Sequence, residues 1–419
     1  MHEAAYRQRL EADLARWQAE GLLPAASADA IRATLRPAPE GITIATVVGI
    51  VGGLLIAAAF LAFIAANWTA IARPLRFAIL LAGIVGAYGA GAGFERAGRT
   101  HLADLCVGVG SIIFGAAIAL TGQMYHLSDD FAGGLLLWAA GALAAATLTG
   151  SRSALAVALA AACVWSGMRV DDMAGPHLQF TIFWLFAAVL AVAWNAPAAR
   201  HLVALAALVW AVLAGFGVAE GRIANPNLTF IATASGFVGA GLLITARASD
   251  SERSFGLTLS TYGAFGLAVG LAFTVAGFLR LTNKELPLWL FATAAAGPTL
   301  AFAAAILKRR WGPALAGISA VLSLIVASGQ IATAADSDPW LSYALALSAM
   351  LCLVVSGMLD DVRPRVAAGW IGLAATIAAI TWAIRGSLLR RAVFLAISGL
   401  VAVAVASALG RFLGRGRRR

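Results

Sequence analysis

The sequence predicts an all-α fold: a polytopic transmembrane helix bundle preceded by a short cytosolic helical pair. Three observations carry that prediction. Hydrophobic residues make up 61% of the 419 positions and charged residues only 12%, where a soluble domain carries about 25% charged residues. Apolar runs of roughly 20 residues recur along the chain, the length that crosses about 30 Å of hydrocarbon at 1.5 Å per residue. Residues 1–40 alone depart from this pattern, being polar and mixed in charge.

In that N-terminal segment, Leu10, Leu14 and Trp17 follow the i, i+4, i+7 spacing of one helical face, and Gly21 supplies a stop. Ser27 is placed to N-cap a second short helix carrying Ile31 and Leu35. Two amphipathic helices of about 35 residues cannot bury a sufficient core alone. Residues 1–40 are therefore expected to dock on the membrane domain, on the bilayer surface or on a cytosolic protein partner. No short apolar core with a small-residue cleavage site opens the chain, so the segment is expected to stay in the cytosol.

Fourteen spans follow, beginning near Ile42, Phe77, Leu102, Phe131, Ser153, Leu178, His201, Leu228, Phe255, Pro287, Trp311, Trp340, Arg365 and Ala392. Several are only four to eight residues apart, so neighbours run antiparallel. With the N-terminus inside, the inner segments hold 21 Lys and Arg and the outer loops 9, the asymmetry expected when basic residues are retained in the cytoplasm. Both termini are thus expected in the cytosol. Arg73 and Arg76, and Arg385, Arg390 and Arg391, fall on the outer side and leave counts of twelve to fourteen open. The resulting division is residues 1–40, a membrane region 41–250, a second membrane region 251–410 and a basic tail 411–419. That tail suits anionic lipid headgroups, at about 1 kcal/mol per basic residue near the surface. The net charge of +10 is spread over short loops rather than gathered on one element, which excludes a nucleic-acid interface.

Trp68, Trp194, Trp289, Trp311 and Trp340 fall at span ends, where an indole keeps its ring in acyl chains and its N–H in water. Glycines at helical spacing, Gly49, Gly52 and Gly53, then Gly83 to Gly93, then Gly263, Gly266 and Gly270, are read as surfaces where helix backbones approach closely. Cys106, Cys163 and Cys352 lie in apolar runs without pairable spacing and are read as small buried apolar residues.

One polar stretch, GQMYHLSDD at 122–130, has an echo. Gly110, Ile118, Gly122, Gln123 and Asp129 match Gly317, Ile325, Gly329, Gln330 and Asp336 at a separation of 207. Gly53, Leu54, Ala59, Phe60, Pro74 and Leu75 match Gly266, Leu267, Ala272, Phe273, Pro287 and Leu288 at 213. Each block pairs a span with the one eight later, so the reading is a parallel internal repeat of at least the first four spans. Repeats of this kind are common in transporters, whose sites lie between the halves.

The stretch LARWQAEGLL, then GGLLIAAAFLAFIAANW, then TGQMYHLSDD resembles the bacterial multi-pass membrane protein family called domain of unknown function 2157. In that family a cytosolic L-x-x-W-x-x-x-G-L-[IL] pattern precedes a multi-span region with a G-Q-x-[YF] element. Trp17 and Gly21 to Leu23 fit the first pattern, and Gly122, Gln123 and Tyr125 the second. The resemblance covers the first 150 residues and implies a place in the bacterial cytoplasmic membrane. It brings no activity with it.

Ionisable groups held deep in lipid are costly enough to mark function, and no apolar run carries a carboxylate near its centre. Asp104 lies about two residues inside its span and Glu220 at a span end. The polar groups gather instead toward the outer face. Gln123, Tyr125, His126, Asp129 and Asp130, with Gln330 and Asp336 from the second block, are the candidate substrate-binding residues. Gln123 and Gln330 can equally cap a neighbouring helix. His126 and Asp129, three apart, could share a proton or bind a cation, while Ser128 or Asp129 is placed to cap the next span. No catalytic or metal site is assigned and no cofactor is expected. GAGAGF at 89–94 sits inside an apolar helix with no preceding strand.

The expected function is binding or translocation of a lipid-like or weakly charged substrate through an outer-facing cavity between repeats, with membrane lipids as partners. The alternative is a non-transporting scaffold or envelope sensor whose residues 1–40 hold a cytosolic partner.

Overall fold

The computed structural model describes residues 2–34, 51–53, 55, 58–59, 62, 71–125, 130–172, 177–221, 226–246, 249–276, 288–328 and 340–383. Fourteen helices are described: α1 (His2–Ala19), α2 (Ala25–Thr34), α3 (Arg73–Arg96), α4 (Thr100–Tyr125), α5 (Phe131–Thr149), α6 (Arg152–Asp172), α7 (Gln179–Ala193), α8 (Pro197–Gly221), α9 (Pro226–Thr245), α10 (Asp250–Ala276), α11 (Leu288–Leu307), α12 (Trp311–Ala327), α13 (Trp340–Leu359) and α14 (Arg363–Ala383). No strand occurs among the described residues. The chain forms two compact units, Met1–Ala59 and Phe60–Arg419.

In the first unit α1 ends as expected at Gly21, whose φ is 71°. The Gly21 N–H donates to the Gln18 carbonyl at 3.1 Å and the Leu22 N–H to the Trp17 carbonyl at 2.9 Å, a Schellman closure. Leu14 and Ala28 are fully buried where the two helices face each other, and Leu10, Trp17 and Ile31 are half-buried. The second helix begins before Ser27. Pro24 precedes its first residue and its carbonyl accepts from the Ala28 N–H at 3.1 Å, which leaves Ser27 inside the first turn rather than capping it.

In the second unit, α3 to α14 begin within five residues of twelve of the fourteen expected positions. The spans expected near Ile42 and Ala392 begin outside the described residues. Among the described residues, eight helices are long and apolar enough to cross a membrane: α3, α4, α5, α8, α9, α10, α13 and α14. Helices α7 and α12 are apolar but shorter, at 15 and 17 residues.

Tight turns join the helices into antiparallel hairpins. Each turn places one residue in the left-handed region: Gly98, Gly150, Asn195, Arg309 and Asp361. At Gly98 and Gly150 the missing Cβ removes the steric cost of that conformation. Helix boundaries also recur. Arg96 and Leu307, Thr100 and Trp311, and Arg152 and Arg363 are each separated by 211 residues. The turn at 97–99 and the turn at 308–310 are closed by the same three backbone hydrogen bonds at that separation, such as Arg99 N–H to Phe94 O and Arg310 N–H to Ala305 O.

Helices α9 and α10 sit centrally, between an apolar core built from α9 to α14 and another built mainly from α5 to α8. They meet through glycine. A Cβ on Gly241 would stand 2.5 Å from the Gly256 carbonyl oxygen, and one on Gly263 would stand 2.7 Å from the Ala234 carbonyl oxygen. Gly239 lies as close to the Gly297–Pro298 backbone of α11. This is the small-residue approach expected of helices in lipid, and it bears out the reading of Gly263, Gly266 and Gly270. The α3 glycines differ. A Cβ on Gly86, Gly89 or Gly93 meets no described atom within 4 Å, and of that series Gly91 packs, against the Ala103 carbonyl oxygen of α4.

Candidate functional site

Helix α4 carries the polar stretch to its C-terminal end. Gln123 and Tyr125 are both exposed there, Tyr125 at 50%. His126, Asp129, Gln330 and Asp336 lie outside the described residues. Asp130 is the N-cap of α5: its Oδ1 accepts from the Gly133 N–H at 2.9 Å. The same oxygen accepts from Arg169 in the last turn of α6 at 2.8 Å. The cap is thus Asp130, not Ser128 or Asp129, because α5 begins at Phe131 and the residue immediately before it faces the free N–H groups. Asp130 joins the ends of two helices, and this arrangement does not bring it to Gln123 or Tyr125. Replacing Asp130 with alanine is expected to lower stability by about 1 kcal/mol, the cost of a lost cap, read as a thermal unfolding shift in detergent. The exposed ion pair adds little.

Beside this cap lies a buried polar cluster that the sequence did not reveal. His177, in the connection before α7, is 2% exposed. Its Nδ1 is 3.1 Å from the Ser166 hydroxyl, which also accepts the indole N–H of Trp210 at 3.0 Å. Trp165 packs edge-on against the imidazole and Phe180 stacks on Trp210. Burial, and then the positive charge of Arg169, push the His177 pKa below its ordinary value. The folded state therefore holds neutral imidazole, and its stability is fully present above the ordinary histidine pKa. That contribution is lost as pH falls through the unfolded value toward the lowered folded one. The unfolding temperature is expected to drop between pH 7.5 and 5 by more in the native protein than in His177→Gln.

At the other end of these helices, the tight turns hold two further clusters. Asp104, in the first turn of α4, accepts from both hydroxyls of the α5–α6 turn: Ser151 at 2.7 Å and Ser153 at 2.6 Å. Ser151 Oγ in turn accepts the Ala154 N–H at 3.1 Å and so caps α6. Asp104 therefore ties two hairpins together. Its replacement by alanine orphans both hydroxyls and is expected to cost about 1–3 kcal/mol, against a smaller loss for Ser153→Ala, in chemical denaturation. In the α13–α14 turn, Arg365 donates to Asp360 at 2.7 Å and to Ser356 at 3.1 Å, with the Arg365 side chain 3% exposed. The sequence showed Asp104 only as a marginal charge and gave no sign of its partners.

Among the described residues, no three His, Cys, Asp or Glu side chains converge in a way that could hold a metal ion. Every Asp or Glu in α3 to α14 lies within five residues of a helix end. Two cavities lie among the described helices. One, of about 350 Å³, is a groove between α10 and α14 lined by Ala272, Phe273, Ala276, Ala378, Ala379 and Trp382. The other, of about 120 Å³, lies among the tight turns of α9 to α14. Gln123 and Tyr125 line neither.

Residues 15–155 match the family described as predicted membrane protein, domain of unknown function 2157. The motifs at Trp17 and at Gly122 to Tyr125 both fall inside that match. No curated protein and no solved structure matches the chain.

Proposed function

We propose, from the match of residues 15–155 to that family of predicted membrane proteins, that this multi-pass protein binds or moves a lipid-like substrate. The observation that carries the reading is the α10–α14 groove. Its walls are alanine, phenylalanine and tryptophan, without a polar residue, and it lies toward the ends of two helices long and apolar enough to span. Trp382 and Phe273 stand exposed at its rim. The volume falls at the low end of the range of small-molecule sites, and such walls suit an acyl chain. The confinement of carboxylates to helix ends supports a weakly charged cargo over an ion-coupled one.

The separation of 211 residues at three helix boundaries supports a parallel duplication, with α3 to α6 corresponding to α11 to α14. Between those repeats lie four helices, so both copies cross in the same direction. The turns at 97–99, 150–151, 308–310 and 360–362 then share one side, which the excess of Lys and Arg assigns to the cytosol.

Filling the groove tests the substrate reading. Ala276→Trp and Ala378→Trp are expected to reduce the phospholipid retained by the purified protein in native mass spectrometry, while Gln123→Ala leaves it unchanged. Equal retention in all three would remove the groove as the site. A second reading, the scaffold, is favoured by the N-terminal pair belonging to a separate compact unit. Deleting residues 1–40 would then release a cytosolic partner and leave the membrane domain intact.

A further inference from the structure

We infer that the cavity among the tight turns of α9 to α14 is a binding site for a phosphate group, held by Arg253, Lys308 and Arg310. The three cations reach it from different elements: Arg253 from the first turn of α10, and Lys308 and Arg310 from the α11–α12 turn. Arg365 also lines it, but its guanidinium is taken by Asp360 at 2.7 Å, and that pair is internally neutral. Among the described residues, Asp360 is the only acidic one on the wall. The other three side chains are exposed, and no described carboxylate lies within ion-pair distance of them. The wall therefore carries an uncompensated charge of about three.

Helices α10, α12 and α14 begin at the cavity and α9, α11 and α13 end at it, so their dipoles offset one another and the side chains supply the positive charge. The last carbonyls of α11 accept the N–H groups of Lys308, Arg309 and Arg310. Among nearby acids, Glu252 is turned onto the Ser249 N–H and hydroxyl at 2.9 and 2.8 Å, and neither it nor Asp250 lines the cavity. One buried water needs about 10–15 Å³, so 120 Å³ admits a tetrahedral anion with room for the groups attached to it. Basic pockets between spanning helices on the cytoplasmic side suit anionic headgroups, and a soluble phosphate presents the same oxygens.

This site is separate from the α10–α14 groove and does not rest on it. The test uses the full-length protein in detergent, with short-chain phosphatidylglycerol, short-chain phosphatidylcholine and inorganic phosphate as probes. The native protein is expected to bind phosphatidylglycerol at least tenfold more tightly than phosphatidylcholine, or inorganic phosphate with a measurable thermal shift. The first result assigns the site to a lipid headgroup, the second to a soluble ligand. The combined variant Arg253→Gln, Lys308→Gln, Arg310→Gln, whose altered side chains are exposed, should lose that binding while its unfolding temperature without probe stays near native. Neutralising Arg415, Arg417, Arg418 and Arg419 in the tail should leave the binding in place, and so should Ala378→Trp. Equal binding of the two lipids with no response to phosphate overturns the assignment. So does a triple variant that binds like the native protein, or a tail variant that loses the preference.

Discussion

Replacing Gly241 or Gly263 with leucine is expected to abolish the folded protein. Both sit where α9 and α10 touch backbone to backbone, and even a Cβ would stand 2.5–2.7 Å from a carbonyl oxygen of the other helix. A flexible side chain could move away from the intruder, but a carbonyl in a helical ladder can move only with its helix. Overpacking a well-filled core costs about 1–3 kcal/mol where side chains can yield, so the loss here should exceed about 3 kcal/mol. The same change at Gly89, whose Cβ position meets no described atom within 4 Å, is the control. Yield and monodispersity in detergent should collapse for the first two variants and hold for Gly89→Leu. Equal tolerance at all three positions would mean that α9 and α10 are not packed in this way.

The second large effect is expected at the α13–α14 turn. Arg365→Ala leaves Asp360 facing a partly buried site without its guanidinium, and removing one partner of such a pair costs about 3–5 kcal/mol. Asp360→Asn keeps the shape and a hydrogen-bond acceptor, so it should cost less. The pair as a whole is not expected to be strongly stabilising, because desolvation offsets most of its Coulomb energy. Replacing both residues with apolar ones of similar volume should therefore recover much of the loss in denaturant unfolding. A double variant as unstable as Arg365→Ala would show that the pair does more than neutralise itself.

Helix positions were legible because hydropathy reports burial in lipid directly. Expected and observed starts coincide at Phe131 and Trp311. They part most at α10, expected near Phe255 but beginning at Asp250, because backbone hydrogen bonding starts before the chain turns apolar. Partner choice was not legible. Asp104 and Ser151 are 47 residues apart and Asp130 and Arg169 are 39 apart; only the packing of hairpins brings them together. The echo of Gly122 and Gln123 lies at 207 residues, whereas the helix starts at Thr100 and Arg152 recur at 211, at Trp311 and Arg363. Of the candidate site, Asp130 was read as free for chemistry and turned out to cap α5. The basic cavity was not legible because Arg253 belongs to the first turn of α10 and Lys308 and Arg310 to the α11–α12 turn, and only the packing brings them together.

In the proposed topology the spans alternate so that the tight turns at 97–99, 150–151, 308–310 and 360–362 share the cytosolic side and the end of α4 faces out. Single cysteines at Arg99, Lys308, Arg363, Tyr125 and Phe131, in a chain with Cys106, Cys163 and Cys352 replaced, test it with a membrane-impermeant maleimide on intact cells. Positions 125 and 131 should label at once, and 99, 308 and 363 only after permeabilisation. Labelling of any of those three from outside, alongside position 125, would contradict it.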